Sequence, residues 1–136
     1  MDKKVVDFAK SRGYFNPLHY GAAEEKCVFE TQAAECGYKR LTTFFSDLSI
    51  AEWYGLDSVR DTFNRVMKEW LGDYKYITEF ILSLNWKSWE WAVYGGRNYE
   101  ELSNLYVELY GAAEERFYEY YKDNEEAKSY YFRVTD

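Results

Sequence analysis

Proline occurs once and glycine eight times in 136 residues, too few for an all-β sandwich, which needs a turn about every 8–12 residues. Histidine is also nearly absent. A metal site needs clustered His, Cys or carboxylate ligands, and His19 has only Glu24, Glu25 and Cys27 near it in sequence. No metal or cofactor is therefore expected. The two cysteines, Cys27 and Cys36, form no CxxC pattern and fit a reducing cytoplasm better than a disulfide scaffold. As a nucleophile, Cys27 lacks a base within reach: on a helix it lies about 12 Å further along the axis than His19. No apolar run approaches the roughly 20 residues of a membrane span. The start, Met1-Asp2-Lys3-Lys4-Val5-Val6-Asp7, lacks the apolar stretch of a signal peptide. Gly95-Gly96-Arg97 lacks the Lys-Ser/Thr of a phosphate loop, and the Glu-x-x-His of di-iron bundles is missing. The expectation is a cytoplasmic protein that is not an enzyme.

What the chain does hold is aromatic: five Trp, fifteen Tyr and nine Phe, a ring area that needs a core, an interface or both. It is also acidic, and unevenly so. Residues 98–136 carry ten acids against four bases, whereas residues 1–97 carry fourteen against thirteen. Nearly all of the net −7 therefore lies beyond residue 98. Direct nucleic-acid binding needs a basic face and is not expected; a basic protein partner is the natural counterpart of the acidic end.

The spacing of apolar residues predicts one all-α domain over residues 1–136, a compact bundle of about five to six helices. Lys3 to Lys10 reads as a short helix. Asn16-Pro17 opens a second, thinner one from Leu18 to Cys36, with Gly37 as its stop; Cys27-Val28-Phe29 is alternatively extended. Thr43 and Ser46 are candidate caps for Asp47–Gly55, and Asp57 or Ser58 for the helix whose buried face is Val59, Phe63, Val66 and Trp70, with Met67 at its margin. Asp73 to Tyr94 is two-faced. Ile77, Phe80, Ile81, Leu84 and Trp91 form one apolar stripe, Leu82, Trp86, Trp89 and Val93 another, and Glu79, Ser83, Lys87 and Glu90 are squeezed into a narrow arc. Such a helix must be covered on both sides, which places it at the centre of the domain. Gly95-Gly96 ends it. Asn98 caps a helix from Tyr99 to Tyr121 with the stripe Leu102, Leu105, Tyr106, Leu109, Ala113, Phe117 and Tyr120. Asp123-Asn124 breaks it before a last segment, Glu125 to Val134.

Two candidate contact features follow. Glu101, Glu108, Glu115, Glu119 and Glu126 fall within roughly 40° of one another if the helix runs through. Such a ridge is either a solvated outer face or a surface that meets a basic groove on a partner. Tyr99, Tyr110, Tyr118, Tyr121 and Tyr131 lie off the main stripes; they either roof a small core or add ring area to that surface. The candidate partner-binding set is Glu101, Glu108, Glu115, Glu119, Tyr118 and Tyr121. Tyr20-Gly-Ala-Ala-Glu-Glu-Lys26 is echoed at Tyr110–Arg116, with no matching surroundings to support a duplicated module.

The run Thr43-Phe44-Phe45-Ser46-Asp47-Leu48-Ser49-Ile50-Ala51-Glu52 is followed by Asp61-Thr62-Phe63-Asn64-Arg65, Trp70, Tyr74–Glu79, Leu84-Asn85-Trp86-Lys87 and Tyr131-Phe132-Arg133-Val134-Thr135-Asp136. This pattern, over roughly the last two thirds of the chain, resembles a group of small uncharacterised proteins encoded by phages and mobile elements of gut bacteria. The resemblance implies no catalytic residues. It implies an accessory or counter-defence role in a bacterial host cell, such as inhibition of a CRISPR nuclease whose basic groove the acidic surface would meet. The alternatives from other classes are an enzymatic or small-molecule-binding domain with an aromatic pocket at Trp86 and Trp89, and a structural homo-oligomer.

Overall fold

A computed structural model describes residues 37–94 and 100–135 of the chain. Within them lie five helices and no strands: α1 (Leu41–Glu52), α2 (Leu56–Trp70), α3 (Tyr74–Tyr94), α4 (Glu100–Tyr120) and α5 (Glu125–Thr135). The expected helices at 3–10 and 18–36, His19, both cysteines, the first Tyr-Gly-Ala-Ala echo, Gly95-Gly96, Asn98 and Tyr99 lie outside the described residues.

The two-faced helix sits at the centre, and α3 packs against all four other described helices. Ile77, Phe80, Ile81 and Leu84 are buried on one side, and Leu82 and Trp86 on the other. Of the expected stripe residues, Trp91 is half-buried and Trp89 partly exposed, and the Val93 side chain lies outside the described residues. Rings interlock around this core. Phe80 packs edge-on against Phe44 of α1 at 5.3 Å, and Phe117 of α4 stacks on Tyr131 of α5 at 4.6 Å. Each such pair adds about 0.5–1.5 kcal/mol beyond the area it buries.

Helix ends follow local chemistry in some places and tertiary contacts in others. Asp73 caps α3, accepting hydrogen bonds from the Lys75 and Tyr76 amides, and Asn124 caps α5, accepting one from the Ala127 amide. Gly55, with φ at 108°, turns the chain from α1 into α2, a backbone conformation that an L side chain rarely tolerates. Asp57 therefore lies in the first turn of α2, where its charge suits the dipole, and is not its cap.

Two further expectations are corrected. Helix α1 begins at Leu41, well before the candidate caps Thr43 and Ser46, because a side chain from α3 caps it instead, as described below. The stripe of α4 does not end at Tyr120, which is exposed. Tyr121 is buried in its place, just past the last helical residue, where the chain leaves the helical path.

Candidate binding face and buried polar seam

Leu105, Tyr106, Leu109, Ala113 and Phe117 lock one face of α4 into the core. Glu101, Glu108, Glu115 and Glu119 recur at spacings of seven and four residues, so they share one line on the helix surface. All four are exposed. Two cations border this line. Arg60 of α2 donates to both oxygens of Glu108, at 3.0 and 3.4 Å, and Lys122 lies 3.6 Å from Glu119. These pairs are open to solvent, so each is worth less than about 1 kcal/mol. Glu126 does not continue the line. It belongs to α5, beyond the break at 121–124, and accepts a hydrogen bond from the Tyr74 hydroxyl at 3.0 Å.

The tyrosines expected beside the ridge divide. Tyr118 is half-buried, its ring against Phe117, Tyr131 and Phe132. Tyr121 is only 5% exposed, which removes it from any surface contact set. Its ring packs on Phe117, Tyr74 and Tyr120, and its hydroxyl donates to the Leu71 carbonyl. Burial, followed by the nearby Tyr120, Asp73 and Tyr74, pushes that hydroxyl up to about 12. Tyr131 is likewise buried. Together with Tyr110 it donates to Glu114, so this carboxylate binds α5 to α4 and does not face outward. Exposed aromatic area appears instead at an unexpected place, the turn between α1 and α2. Trp53 and Tyr54 there are 89% and 80% exposed, and Ile50 beside them is also largely open.

A second group of carboxylates is hidden. Glu79, Ser83, Lys87 and Glu90 recur at four, four and three residues, and α1 and α4 close over this arc of α3. Near the end of α1 the Lys87 ammonium donates to Ser49 Oγ and Glu52 Oε1, both at 2.6 Å. It also lies 3.8 Å from Glu90 and 4.3 Å from the centre of the Phe45 ring. The Trp91 indole N–H donates to the other Glu52 oxygen at 2.6 Å. Tyr106 of α4 completes the group. Burial, and then the Glu52 and Glu90 carboxylates, raise its hydroxyl well above the usual tyrosine range. Glu52 is raised too: burial outweighs the lowering by Lys87, Trp91 and Tyr106.

At the start of α1 the direction of support reverses. Glu79 of α3 accepts hydrogen bonds from the Arg40 and Leu41 amides at 2.9 and 3.2 Å, both on Oε1. Burial raises this carboxyl from 4.5 to about 7 against the lowering by the two amides; Asp73 adds to the rise and Arg40 opposes it. Helix α1 is thus fixed to α3 at both ends by buried carboxylates, one from each helix.

Comparison of the chain with protein-family models, curated proteins and solved structures gives no match. The site therefore has to be read from its own chemistry. Among the described residues no group of three or more His, Cys, Asp or Glu is placed to hold a metal ion, and no helix is long and apolar enough to cross a membrane. Trp86, expected at a pocket, is 2% exposed and packs edge-on against Phe45 at 6.3 Å. The buried seam was not among the candidate sites read from the sequence. Its signal was the narrow polar arc itself: on a helix apolar to both sides, coverage of the flanks leaves little room for water over the arc between them.

Proposed function

We propose that the chain is a non-enzymatic binding protein that meets a basic protein surface through the outward face of α4. One observation carries this reading: Glu101, Glu108, Glu115 and Glu119 stand exposed in one line on a helix whose opposite face is locked in the core. A rigid row of like charges raises local potential, and such a row favours encounter with a surface of opposite sign. Half-buried Tyr118 does not share that line, and buried Tyr121 is not part of the contact. The partner class is a protein with a basic, nucleic-acid-binding groove. The resemblance to proteins of phages and mobile elements extends the proposal to a host defence effector such as a CRISPR nuclease, with the ridge taking the place of phosphates.

The test is capture of partners from host cells that contain their defence systems, comparing the natural chain with a Glu108→Lys, Glu115→Lys, Glu119→Lys triple variant. The variant is expected to keep its helical circular dichroism, because all three side chains are exposed. Its capture of a basic partner should fall at least about tenfold, the loss being largest at low salt. Equal capture by both chains would remove the acidic ridge from the function.

A further inference from the structure

Gly111 sits in the interior of α4, where a glycine weakens a helix relative to alanine because it gives up more backbone freedom on folding. Among the described residues nothing requires it. Its φ is not in the left-handed region, unlike those of Gly37 and Gly55. A Cβ built on it would meet no atom within 4 Å outside its own helix. The position is exposed, so a larger side chain would stand in open space. A missing side chain on an open helix face leaves a notch, and a notch lets a second backbone come to the short end of the usual distance of about 8–10 Å.

The notch has apolar neighbours. At about 100° per residue, Val107, Gly111 and Tyr118 fall within about 40° of one another. Val107, one turn before the glycine, is 59% exposed, an apolar surface that the bundle leaves open. Two turns after the glycine, the half-buried Tyr118 ring lies 6.0 Å from Phe132 of α5, which is itself exposed. Glu101, Glu108, Glu115 and Glu119 run beside this strip, about a quarter turn around the helix. An apolar strip with a notch and an acidic border is the complement of a helix that carries apolar residues on one face and Lys or Arg alongside. The net charge of −7 and the line of glutamates weigh against a second copy of this chain as the occupant.

We propose that Gly111 is the seat of a basic amphipathic helix of the partner. That helix crosses α4 at the glycine, lays its apolar face on Val107 and Phe132, and sets its cations against Glu108, Glu115 and Glu119. The seat rests on the acidic face of α4 being the contact, as proposed above, and adds selectivity to it. The glutamates attract any basic surface, and the notch selects one that presents a helix.

The probe is a synthetic helical peptide of about 20 residues, with leucines along one face and lysines beside them, compared with a scrambled peptide of the same composition. Fluorescence anisotropy measures the binding of each to the full natural chain, to Gly111→Ala, to Gly111→Gln, and to the triple variant Glu108→Lys, Glu115→Lys, Glu119→Lys. The natural chain should bind the helical peptide at least about tenfold more tightly than the scrambled one. Both glycine variants should raise the thermal midpoint by a few degrees, since each improves helix propensity at an open position. They should nevertheless weaken the helical peptide, Gly111→Ala about threefold and Gly111→Gln at least about tenfold. A chain that is more stable and binds less separates a contact role from a structural one. Equal binding of the helical peptide by Gly111→Gln and the natural chain would overturn the seat; if the triple variant still loses binding, the acidic face stands without it. Failure of the natural chain to bind the helical peptide, or equal binding of both peptides, would overturn the seat as well. So would a lowered thermal midpoint in Gly111→Ala, which would give the glycine a role within the fold, or a dimer of the natural chain that Gly111→Gln dissociates.

Discussion

Glu52 and Glu79 in the α1–α3 seam, and Glu101, Glu108, Glu115 and Glu119 on the outer face of α4, are the same side chain in two solvents. In the seam, each carboxylate is held by short, specific bonds to an ammonium, an indole or backbone amides, and burial still drives its pKa up. On α4, the carboxylates stand in water, and Glu108 pairs with exposed Arg60. The difference teaches that burial divides the acid content of this chain in two. Buried carboxylates fix how α1 sits on α3, whereas the exposed line on α4 stays in water. Geometry does not separate the two classes, since Arg60–Glu108 is a well-formed two-pronged pair. Desolvation does, because removing one partner costs much only where water cannot replace it.

The largest expected effect breaks the seam at its cation. Lys87→Ala leaves Glu52 buried without its ammonium, and urea unfolding should report a loss of about 3–5 kcal/mol. A loss below about 1 kcal/mol would mean that water enters the seam and that the two regions do not differ.

A smaller effect comes from pH. Glu79 is raised from 4.5 to about 7, so between those values the folded chain holds a proton that the unfolded chain has released. This contribution to stability is fully present below about pH 4.5 and is lost as pH rises through about 7, with a ceiling of roughly 3 kcal/mol. Glu52, also raised, acts with the same sign. The thermal midpoint should therefore fall between pH 5 and pH 7.5, and fall less in Glu79→Gln. A midpoint that climbs over this range would reverse the assignment.

The smallest effect sharpens the other side of the comparison. Arg60→Ala removes an exposed pair and should cost less than about 1 kcal/mol, a difference that shrinks further at high salt. Denaturation curves at two salt concentrations measure it.

Much of the fold was legible in the sequence. Period-3.6 stripes identified α2 and located α3 and α4 to within a residue at each end, because amphipathic helices carry their packing instructions in their own spacing, whereas α5 was marked only as the segment after a break. Asp73 and Asn124 stood at the expected boundaries as a helix start and a break, and the structure adds that both act as caps, a role that needs only the amides within three residues of each. The start of α1 was not legible. Local chemistry at Thr43 and Ser46 suggested a later beginning, and the cap that decides it arrives from a residue 38 positions away. The choice between Tyr120 and Tyr121 was hidden for a similar reason. They stand three and four residues after Phe117, and only the turn into α5 settles which ring the core receives.

The site divides along the same line. The acidic ridge on α4 could be read from the sequence because exposed residues of one helix need only their own spacing to align. Its extension to Glu126 failed once the break at 121–124 put that residue on another helix. The sequence by itself determined the helical class, the central place of α3 and the outward line of four glutamates, all consequences of periodicity within single segments. Tertiary structure alone decided which carboxylates lose their water. That depends on what folds over the arc of Glu79, Ser83, Lys87 and Glu90, and the cost of desolvation is set by neighbours distant in the chain.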